Sequence, residues 1–283
     1  MTYRCFNVEI ADHVAHVQLK RGEELNTMVP EFWRELPEII RDIDANARAR
    51  VIVISSTGKH FSGGMDLAVF TGGSSAGTAA SRATTERGRT RANLRLSVLD
   101  IQESFNCLEK ARVPVLIAIQ GGCVGGAVDM ASACDCRYAT EDAFFVIQEI
   151  NIGMTADVGT FPRLCGLIPQ GWVRELAYTG RRLPAQTALQ IGLVNAVLPD
   201  HEAVVAHALA TAAEIAAKAP LAVAGSKVMI NYAREHDTES ALDYIGVWQT
   251  GMFAGPHMAE TFQAKREGRE PVFPDLVPIR RGM

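Results

Sequence analysis

This 283-residue chain lacks the regularly spaced cysteines that a disulfide framework or a zinc site requires. Its six cysteines are spread between residues 5 and 165, without a Cys-x-x-Cys pair or a regular spacing. A disulfide framework or a zinc site would need such spacing, so the pattern indicates reduced thiols in a reducing compartment. We therefore expect a cytoplasmic location and no metal centre.

An excess of charge of one sign is also missing. The chain carries 32 acidic and 28 basic side chains, for a formal net charge of −4. Proteins that bind nucleic acid are usually strongly basic, so nucleic acid is not an expected partner. No run of 18 apolar residues occurs, the first ten residues do not resemble a secretory signal, and the final Arg-Gly-Met is not a peroxisomal address. A membrane partner is not expected either.

The usual nucleotide-binding fingerprints are absent from the sequence. Gly58-Lys59 is followed by His60 rather than by Ser or Thr, which excludes a P-loop. Residues 121–123, Gly-Gly-Cys, depart from the dinucleotide pattern at its third position. A Gly-x-Ser-x-Gly sequence occurs at residues 73–77, but no strand pattern precedes it, so a hydrolase nucleophile is not predicted there.

What the chain does contain is an alternation of strand and helix patterns. Short apolar runs are typical of buried strands, and strands separated by helices predict an α/β fold. The predicted elements are a hairpin within residues 3–19 that turns at Asp12-His13, a helix from Pro30 to about Asn46, and strands at 51–54, 113–119 and 144–147.

Two other regions differ from this pattern. Residues 71–91 are rich in Gly, Ser, Thr and Ala, which predicts a mobile surface segment. From about Asp200 to Glu267 the sequence is Ala-rich and helical in its spacing, and residues 268–283 have no periodicity. We therefore divide the chain into residues 1–200, which form the core, and residues 201–283, which form a helical C-terminal region.

Two glycine-rich segments each follow a predicted strand, at residues 56–67 and 121–129. A strand followed by Gly-Gly and a helix exposes backbone N–H groups at a helix N-terminus, where the helix dipole favours negative charge. Glycine also lets a ligand oxygen approach the backbone closely. One N–H from each turn could therefore bind a developing oxyanion, although two ordinary tight turns remain an alternative.

Three acidic residues lie close to these turns in the sequence. Asp129 falls in the first helical turn after Gly125-Gly126. Glu149 follows the strand at 144–147, and Asp157 comes eight residues after Glu149. Their spacing is compatible with a shared acid site. Alternatively, Asp129 stabilises a helix N-terminus, and Glu149 and Asp157 lie in solvated turns.

Two stretches resemble a known family. HFSGGMDL at residues 60–67 and GGCVGGAVDMASACDCRYATEDAFF at residues 121–145 resemble the enoyl-CoA hydratase/isomerase, or crotonase, superfamily. Within it, QEINIGMTADVGTFPRL at residues 148–164 resembles the Δ3,5-Δ2,4-dienoyl-CoA isomerase branch. The resemblance implies an α/β fold built as a crotonase-like spiral of ββα units, followed by helices that assemble the chain into homotrimers, often paired into homohexamers.

The resemblance also implies roles for individual residues. The backbone N–H groups of Met65 and Gly126 would form an oxyanion hole for a thioester carbonyl. Asp129 and Glu149 occupy the positions at which hydratases carry paired glutamates, and Asp157 is the additional acid of the isomerase branch. In that branch Asp157 would take a proton from carbon 2 and Glu149 would deliver one at carbon 6, with Asp129 orienting or tuning Glu149. Acids crowded in a dry pocket should have at least one raised pKa.

The implied substrate is an unsaturated fatty acyl-CoA thioester, a 3,5-dienoyl-CoA converted to the 2,4-dienoyl-CoA in fatty acid β-oxidation, with no cofactor beyond the CoA of the substrate. Enoyl-CoA hydration is one alternative, and a non-catalytic module that binds CoA esters or RNA is another. Lys265 resembles a family position near the CoA phosphates of a neighbouring subunit, although a plain surface lysine is equally consistent. The implied substrate-binding residues are Gly63, Gly64, Asp66, Leu67, Gly125 and Lys265.

Overall fold

Strands and helices alternate along the chain in the computed structural model, which describes residues 2–66 and 87–280. The strands are β1 (Phe6–Ala11), β2 (Val14–Leu19), β3 (Val51–Ser56), β4 (Val115–Ile119), β5 (Gly122–Val124), β6 (Cys136–Thr140), β7 (Phe144–Val146), β8 (Leu183–Pro184) and β9 (Ala196–Leu198). The helices are α1 (Pro30–Ala45), α2 (Arg87–Lys110), α3 (Gly126–Ala133), α4 (Thr160–Leu167), α5 (Gln170–Thr179), α6 (Ala185–Gln190), α7 (His201–Ala216), α8 (Pro220–Glu235), α9 (Thr238–Met252) and α10 (Gly255–Glu267).

Six strands form the main sheet in the order β1-β2-β3-β4-β6-β9, and β5-β7-β8 form a smaller sheet. β1 and β2 are antiparallel, and the other neighbours in the main sheet are parallel. The first pair turns at Asp12 and His13, whose φ angles of 47° and 65° match the left-handed backbone of a two-residue hairpin. The predicted α/β fold and the predicted hairpin are confirmed.

The central strands of the main sheet are buried on both faces. Ile52 and Ile54 belong to the larger of two hydrophobic clusters, whereas Val51 and Val53 belong to the smaller one. Successive side chains of a strand point to opposite faces, so β3 carries a continuous apolar run. This explains why the strand pattern could be recognised in the sequence.

Helix α7 covers the second face of the main sheet. Four of its side chains, spaced four residues apart, are buried against β3 and β4 as one narrow stripe. Three of the four are alanines, which allow the helix to lie close to the strands. The stripe consists of Val204, Ala208, Ala212 and Ala216.

The last three helices extend from this layer and leave apolar side chains exposed. Lys227 in α8 is buried, and its Nζ contacts Asp135 Oδ2 at 2.8 Å and donates to the Leu108 and Val113 carbonyls at 2.9 and 3.1 Å. These bonds fix α8 to the core. The division at residue 200 stays a prediction, and the region rich in exposed apolar side chains begins after α7. Those side chains include Ile230, Leu242, Val247, Phe253 and Phe262.

The tail that follows α10 has no regular structure but is bound to the core. The Arg50 guanidinium donates to the Ala216 carbonyl at 2.8 Å, to the Phe273 carbonyl at 2.7 Å and to Asp275 Oδ1 at 2.6 Å. Further along, the Ile279 N–H donates to the Ala45 carbonyl at 2.6 Å. Arg50 therefore links the tail to the end of α7, and the Ile279 bond links the tail to the end of α1.

The structure describes only part of residues 71–91, for which the sequence predicts a mobile surface segment. Residues 71–86, which include the Gly-x-Ser-x-Gly sequence, lie outside the described residues. Residues 87–91 form the first turns of α2, a helix that the sequence did not predict, and the exposure of Gly88, Arg89 and Arg91 agrees with a surface position. Arginine favours helix even where no apolar stripe is present.

In residues 2–66 and 87–280, no single helix is long and apolar enough to cross a membrane, although α7 and α8, bent by 111° between them, pass that test when joined.

Candidate active site

The two glycine-rich turns lie next to each other at one edge of the main sheet. β3 and β4 are parallel neighbours, so the loops that leave their carboxyl ends meet there. Ser62 pairs with Cys123 across the two loops, and the Ser62 N–H donates to the Gly122 carbonyl at 3.1 Å. The Val124 N–H returns a bond of 3.1 Å to the Ser62 carbonyl. These bonds hold the turns in a fixed relation.

Close approach of the two turns requires glycine at position 64, and the space at Gly126 is limited by a methionine side chain. Gly64 has a φ of +83°, and a Cβ there would lie 2.5 Å from the Val124 carbonyl oxygen. At Gly126 a Cβ would lie 2.9 Å from Met28 Sδ. A side chain at Gly64 would push the turns apart, whereas one at Gly126 would displace the flexible Met28 side chain.

Each turn presents a backbone N–H group to the same pocket. In the part of the chain that the structure describes, neither the Met65 nor the Gly126 N–H has a hydrogen-bond acceptor. Gly126 is the first residue of α3, where N–H groups lack partners within the helix and the dipole favours negative charge. Both residues line a pocket of about 460 Å³. The pocket therefore offers two donors to an oxygen atom of a ligand.

Most of the predicted site residues line this pocket. Asp129 and Lys265 do not, and Leu67 lies outside the described residues. The predicted residues that line it are Gly63, Gly64, Met65, Asp66, Gly125, Gly126, Glu149 and Asp157, and the other lining residues are Leu25, Thr27, Trp33, Val124, Gln148, Ile152, Met154 and Val158.

Glu149 is half-buried in the pocket wall, at the start of a short 3-10 helix that follows β7. Its Oε2 atom is buried and has no hydrogen-bond partner among the described residues. Burial raises the pKa of the Glu149 carboxyl to about 7, and the nearby Asp129 and Asp157 add to this rise. Glu149 therefore retains a proton close to neutral pH.

Asp129 lies behind the pocket in the first turn of α3 and is fully buried. Its Oδ1 accepts two hydrogen bonds from Thr160, one from the N–H at 2.6 Å and one from Oγ1 at 2.7 Å. No group within residues 2–66 or 87–280 bonds to its Oδ2. Burial raises the pKa of Asp129 to about 6, and the Thr160 bonds and the positive charge of Arg163 oppose that rise.

Asp157 precedes α4 and lines two cavities. One is the pocket that contains Glu149, and the other has a volume of about 700 Å³ and includes Gln102 and Arg163 in its wall. Gln102 Nε2 donates to the Asp157 carbonyl at 2.6 Å, which fixes the backbone of this segment to α2. The Asp157 side chain is more exposed than that of Glu149.

Three residues at or near the site were not predicted from the sequence as site residues. Thr27 Oγ1 donates to Asp66 Oδ2 at 2.9 Å, Trp33 in α1 lines the pocket, and Thr160 binds Asp129. Trp33 follows the apolar spacing of a helix and therefore resembles a core residue. Nothing in the local sequence indicates which side chain the two threonine hydroxyls bind.

Lys265 is separate from the pocket within one chain. It lines a surface depression on α10 together with Phe262 and Arg266. The structure also contains, over residues 2–66 and 87–280, no group of three His, Cys, Asp or Glu side chains arranged to hold a metal ion.

Comparison with known proteins gives consistent matches over most of the chain. A family model described as Enoyl-CoA hydratase/isomerase matches residues 9–275. A human protein named Delta(3,5)-Delta(2,4)-dienoyl-CoA isomerase, mitochondrial, is 41% identical over 263 residues, which cover 91% of this chain and 77% of the relative. A peroxisomal protein of the same name from Arabidopsis thaliana is 36% identical over 263 residues and covers 93% of each chain.

A solved structure supports the fold assignment. The crystal structure of an enoyl-CoA hydratase from Bacillus anthracis superimposes with a TM-score of 0.81 at 28% identity, covering 98% of this chain and 100% of that one. The predicted crotonase-like architecture is confirmed.

The prediction of a cytoplasmic location is wrong, because the similar isomerases are named as mitochondrial or peroxisomal proteins. The scattered cysteines indicate only that the thiols are reduced. That property does not distinguish one reducing compartment from another.

Proposed function

The chain belongs to the enoyl-CoA hydratase/isomerase family, and on that premise we propose that it converts 3,5-dienoyl-CoA thioesters into 2,4-dienoyl-CoA thioesters in fatty acid oxidation. The names of the human and Arabidopsis thaliana relatives support this reaction. The observation that carries it is that Glu149 and Asp157 line the same pocket as the N–H groups of Met65 and Gly126.

The first step is removal of a proton from carbon 2 of the acyl chain by the Asp157 carboxylate. The electron pair of the broken C–H bond enters the conjugated system, and negative charge develops on the thioester oxygen. That oxygen accepts hydrogen bonds from the Met65 and Gly126 N–H groups. A donor aimed at such an oxyanion typically contributes about 2.7–4 kcal/mol of transition-state stabilisation.

The second step is delivery of a proton to carbon 6 by Glu149. Both double bonds then lie one carbon closer to the thioester than in the substrate. A pKa raised to about 7 by burial suits Glu149 to this role, because the group holds a proton at neutral pH and can still release it. Asp157 ends the cycle protonated and Glu149 ends it ionised, so both groups must exchange protons before the next turnover.

Asp129 acts on Glu149 from behind the pocket. Its negative charge raises the pKa of Glu149, although burial of Glu149 itself is the larger cause. We assign Asp129 the role of tuning the proton donor rather than touching the substrate, since it does not line the pocket.

The two glycine-rich turns would form the substrate-binding surface around the thioester. Gly63, Gly64, Asp66 and Gly125 all line the pocket next to the proposed oxyanion hole. Lys265 would reach the CoA phosphates only from a neighbouring copy of the chain, in a homotrimer or homohexamer. The reaction as written needs no cofactor beyond the CoA of the substrate.

The reaction is tested by giving the purified protein a 3,5-dienoyl-CoA and, separately, crotonyl-CoA while ultraviolet absorbance is followed. We expect the 2,4-dienoyl chromophore to appear with the first substrate. Loss of the enoyl absorbance of crotonyl-CoA without any isomerisation would contradict the proposal and favour hydration. No change with either substrate would favour a module that only binds CoA esters.

A further inference from the structure

Thr160 connects two of the acidic residues of the site. It is the first residue of α4, it is buried, and it follows Asp157 by three positions. Its N–H and its hydroxyl both donate to Oδ1 of Asp129, at 2.6 and 2.7 Å. One residue therefore ties the segment that carries Asp157 to the helix that carries Asp129.

Both bonds favour the ionised form of Asp129. Hydrogen bonds to a carboxylate are stronger than those to a neutral acid, so donors on Oδ1 stabilise the charge against the cost of burial. The other oxygen, Oδ2, is buried and accepts no bond from the described residues. Thr160 therefore supplies both of the hydrogen bonds that Asp129 Oδ1 accepts from the described residues.

The surroundings of Asp129 make Thr160 important for its charge. Arg163 is a nearby cation whose charge acts on Asp129, and its own guanidinium is engaged by Glu109 Oε2 at 3.3 Å and by Asn106 Oδ1 at 2.6 Å. The charged and titratable groups that face Asp129 are Arg163 of α4, Asp157 before α4, Glu149 of the 3-10 helix and the buried Cys123 thiol of β5.

We propose that Thr160 is a positioning residue that keeps Asp129 charged beside Glu149, and thereby sets the pH above which Glu149 no longer donates its proton. This inference rests on the proposed function. The chain of effects has a definite sign. Removing the hydroxyl makes Asp129 easier to protonate, a neutral Asp129 repels the ionised Glu149 less, and Glu149 then loses its proton at a lower pH.

The test is the pH dependence of kcat/KM for 3,5-dienoyl-CoA, which reports ionisations of the free enzyme. Thr160→Val keeps the size and the backbone N–H but removes the hydroxyl. We expect its alkaline limb to move to lower pH by on the order of half a unit, because the lost hydrogen bond acts on Asp129 directly and on Glu149 only through the charge of Asp129. Thr160→Ser retains the hydroxyl and should leave the limb where it is in the wild type.

A double-mutant comparison separates this role from packing. Asp129→Asn removes the charge, so it should also move the alkaline limb to lower pH, and adding Thr160→Val to it should move the limb no further. Thr160→Ala serves the same purpose if the valine variant does not fold. A valine or alanine variant that is less active at every pH, with its limb unmoved, would overturn the proposal.

Failure of this inference is distinguishable from failure of the proposed function. A wild-type protein that does not isomerise the dienoyl substrate contradicts the function itself. An active wild type with an alkaline limb that does not respond to the Thr160 hydroxyl contradicts only the role of Thr160.

Discussion

Glu149 and Asp157 are carboxyl groups placed in different surroundings within one pocket. Glu149 is half-buried, and its pKa is raised, whereas Asp157 is exposed and open to two cavities. A protonated acid and a carboxylate base are the two forms that a shift of two double bonds requires. Environment rather than residue type therefore assigns the roles, since both side chains carry the same functional group.

Replacement of Asp157, the proposed base, should slow proton removal from carbon 2. Asp157→Asn preserves size but removes the group that accepts the carbon 2 proton, so kcat should fall by about 10²–10⁴-fold. Calorimetric affinity for a saturated acyl-CoA should stay unchanged. Asp243→Asn, at an exposed position of α9 outside the pocket, is the matched control and should keep wild-type turnover. Full turnover in the Asp157 variant would show that another group takes the proton.

The candidate residues could be predicted from the sequence better than their partners could. Gly63 and Gly64 line the pocket because they follow β3, whose carboxyl end lies beside that of β4, and Glu149 lines it from the end of β7 in the smaller sheet. The bonds from Thr160 to Asp129 span 31 positions in the chain. Such a contact depends on how α3 and α4 pack, which leaves no local signal in the sequence.

The distance between the loop after β3 and the loop after β4 determines where the two proposed oxyanion donors lie. Gly64 lets the loop after β3 touch the loop after β4, since a side chain there would meet the Val124 carbonyl. The Met65 N–H follows directly in the chain. A shift of this turn by a fraction of an ångström therefore moves one of the two donors.

Gly64→Ala tests this relation. The added Cβ would lie 2.5 Å from a backbone oxygen, so the turn must move, and kcat should fall by about 10²–10³-fold through a misplaced donor. Gly192→Ala is the matched control, because Gly192 has a similar φ of +85° but no contact closer than 3.8 Å. Both variants should lose some thermal stability, and only the first should lose activity. Equal loss of activity in both would point to general destabilisation.

The sequence predicted the central elements better than the peripheral ones. The strand at Val51–Ser56 is buried on both faces and so appears as an apolar run, and α1 begins at Pro30, which suits the first turn of a helix. The start of α2 at Arg87 could not be predicted in this way. Gly88, Arg89 and Arg91 in its first turns are exposed, and the sequence there has no apolar stripe.

The last three helices carry several large apolar side chains that are exposed on the single chain. Phe253 and Phe262 are 58% and 59% exposed, and Leu242 is 63% exposed. Burial of such surface against other copies of the chain would stabilise an oligomer. The proposed trimer or hexamer is consistent with this distribution.

Light scattering of the purified protein tests the assembly. We expect a mass three or six times the 30.7 kDa of one chain. Phe262→Glu should lower that mass, since it would bury a charge in the proposed interface. Tyr178→Glu is the control, at a position that is 68% exposed on α5 and outside this region. A wild-type mass of one chain would contradict the oligomer.

The bonds of Arg50 have a further consequence for assembly. This one guanidinium binds the end of α7 and the tail beyond α10, so the intervening helices leave the core and return to it at the same point. Closing a segment into a loop removes much of its conformational entropy when the single chain folds. Association of two copies then costs less conformational entropy in these helices. A larger part of the free energy of apolar burial between copies therefore contributes to the affinity.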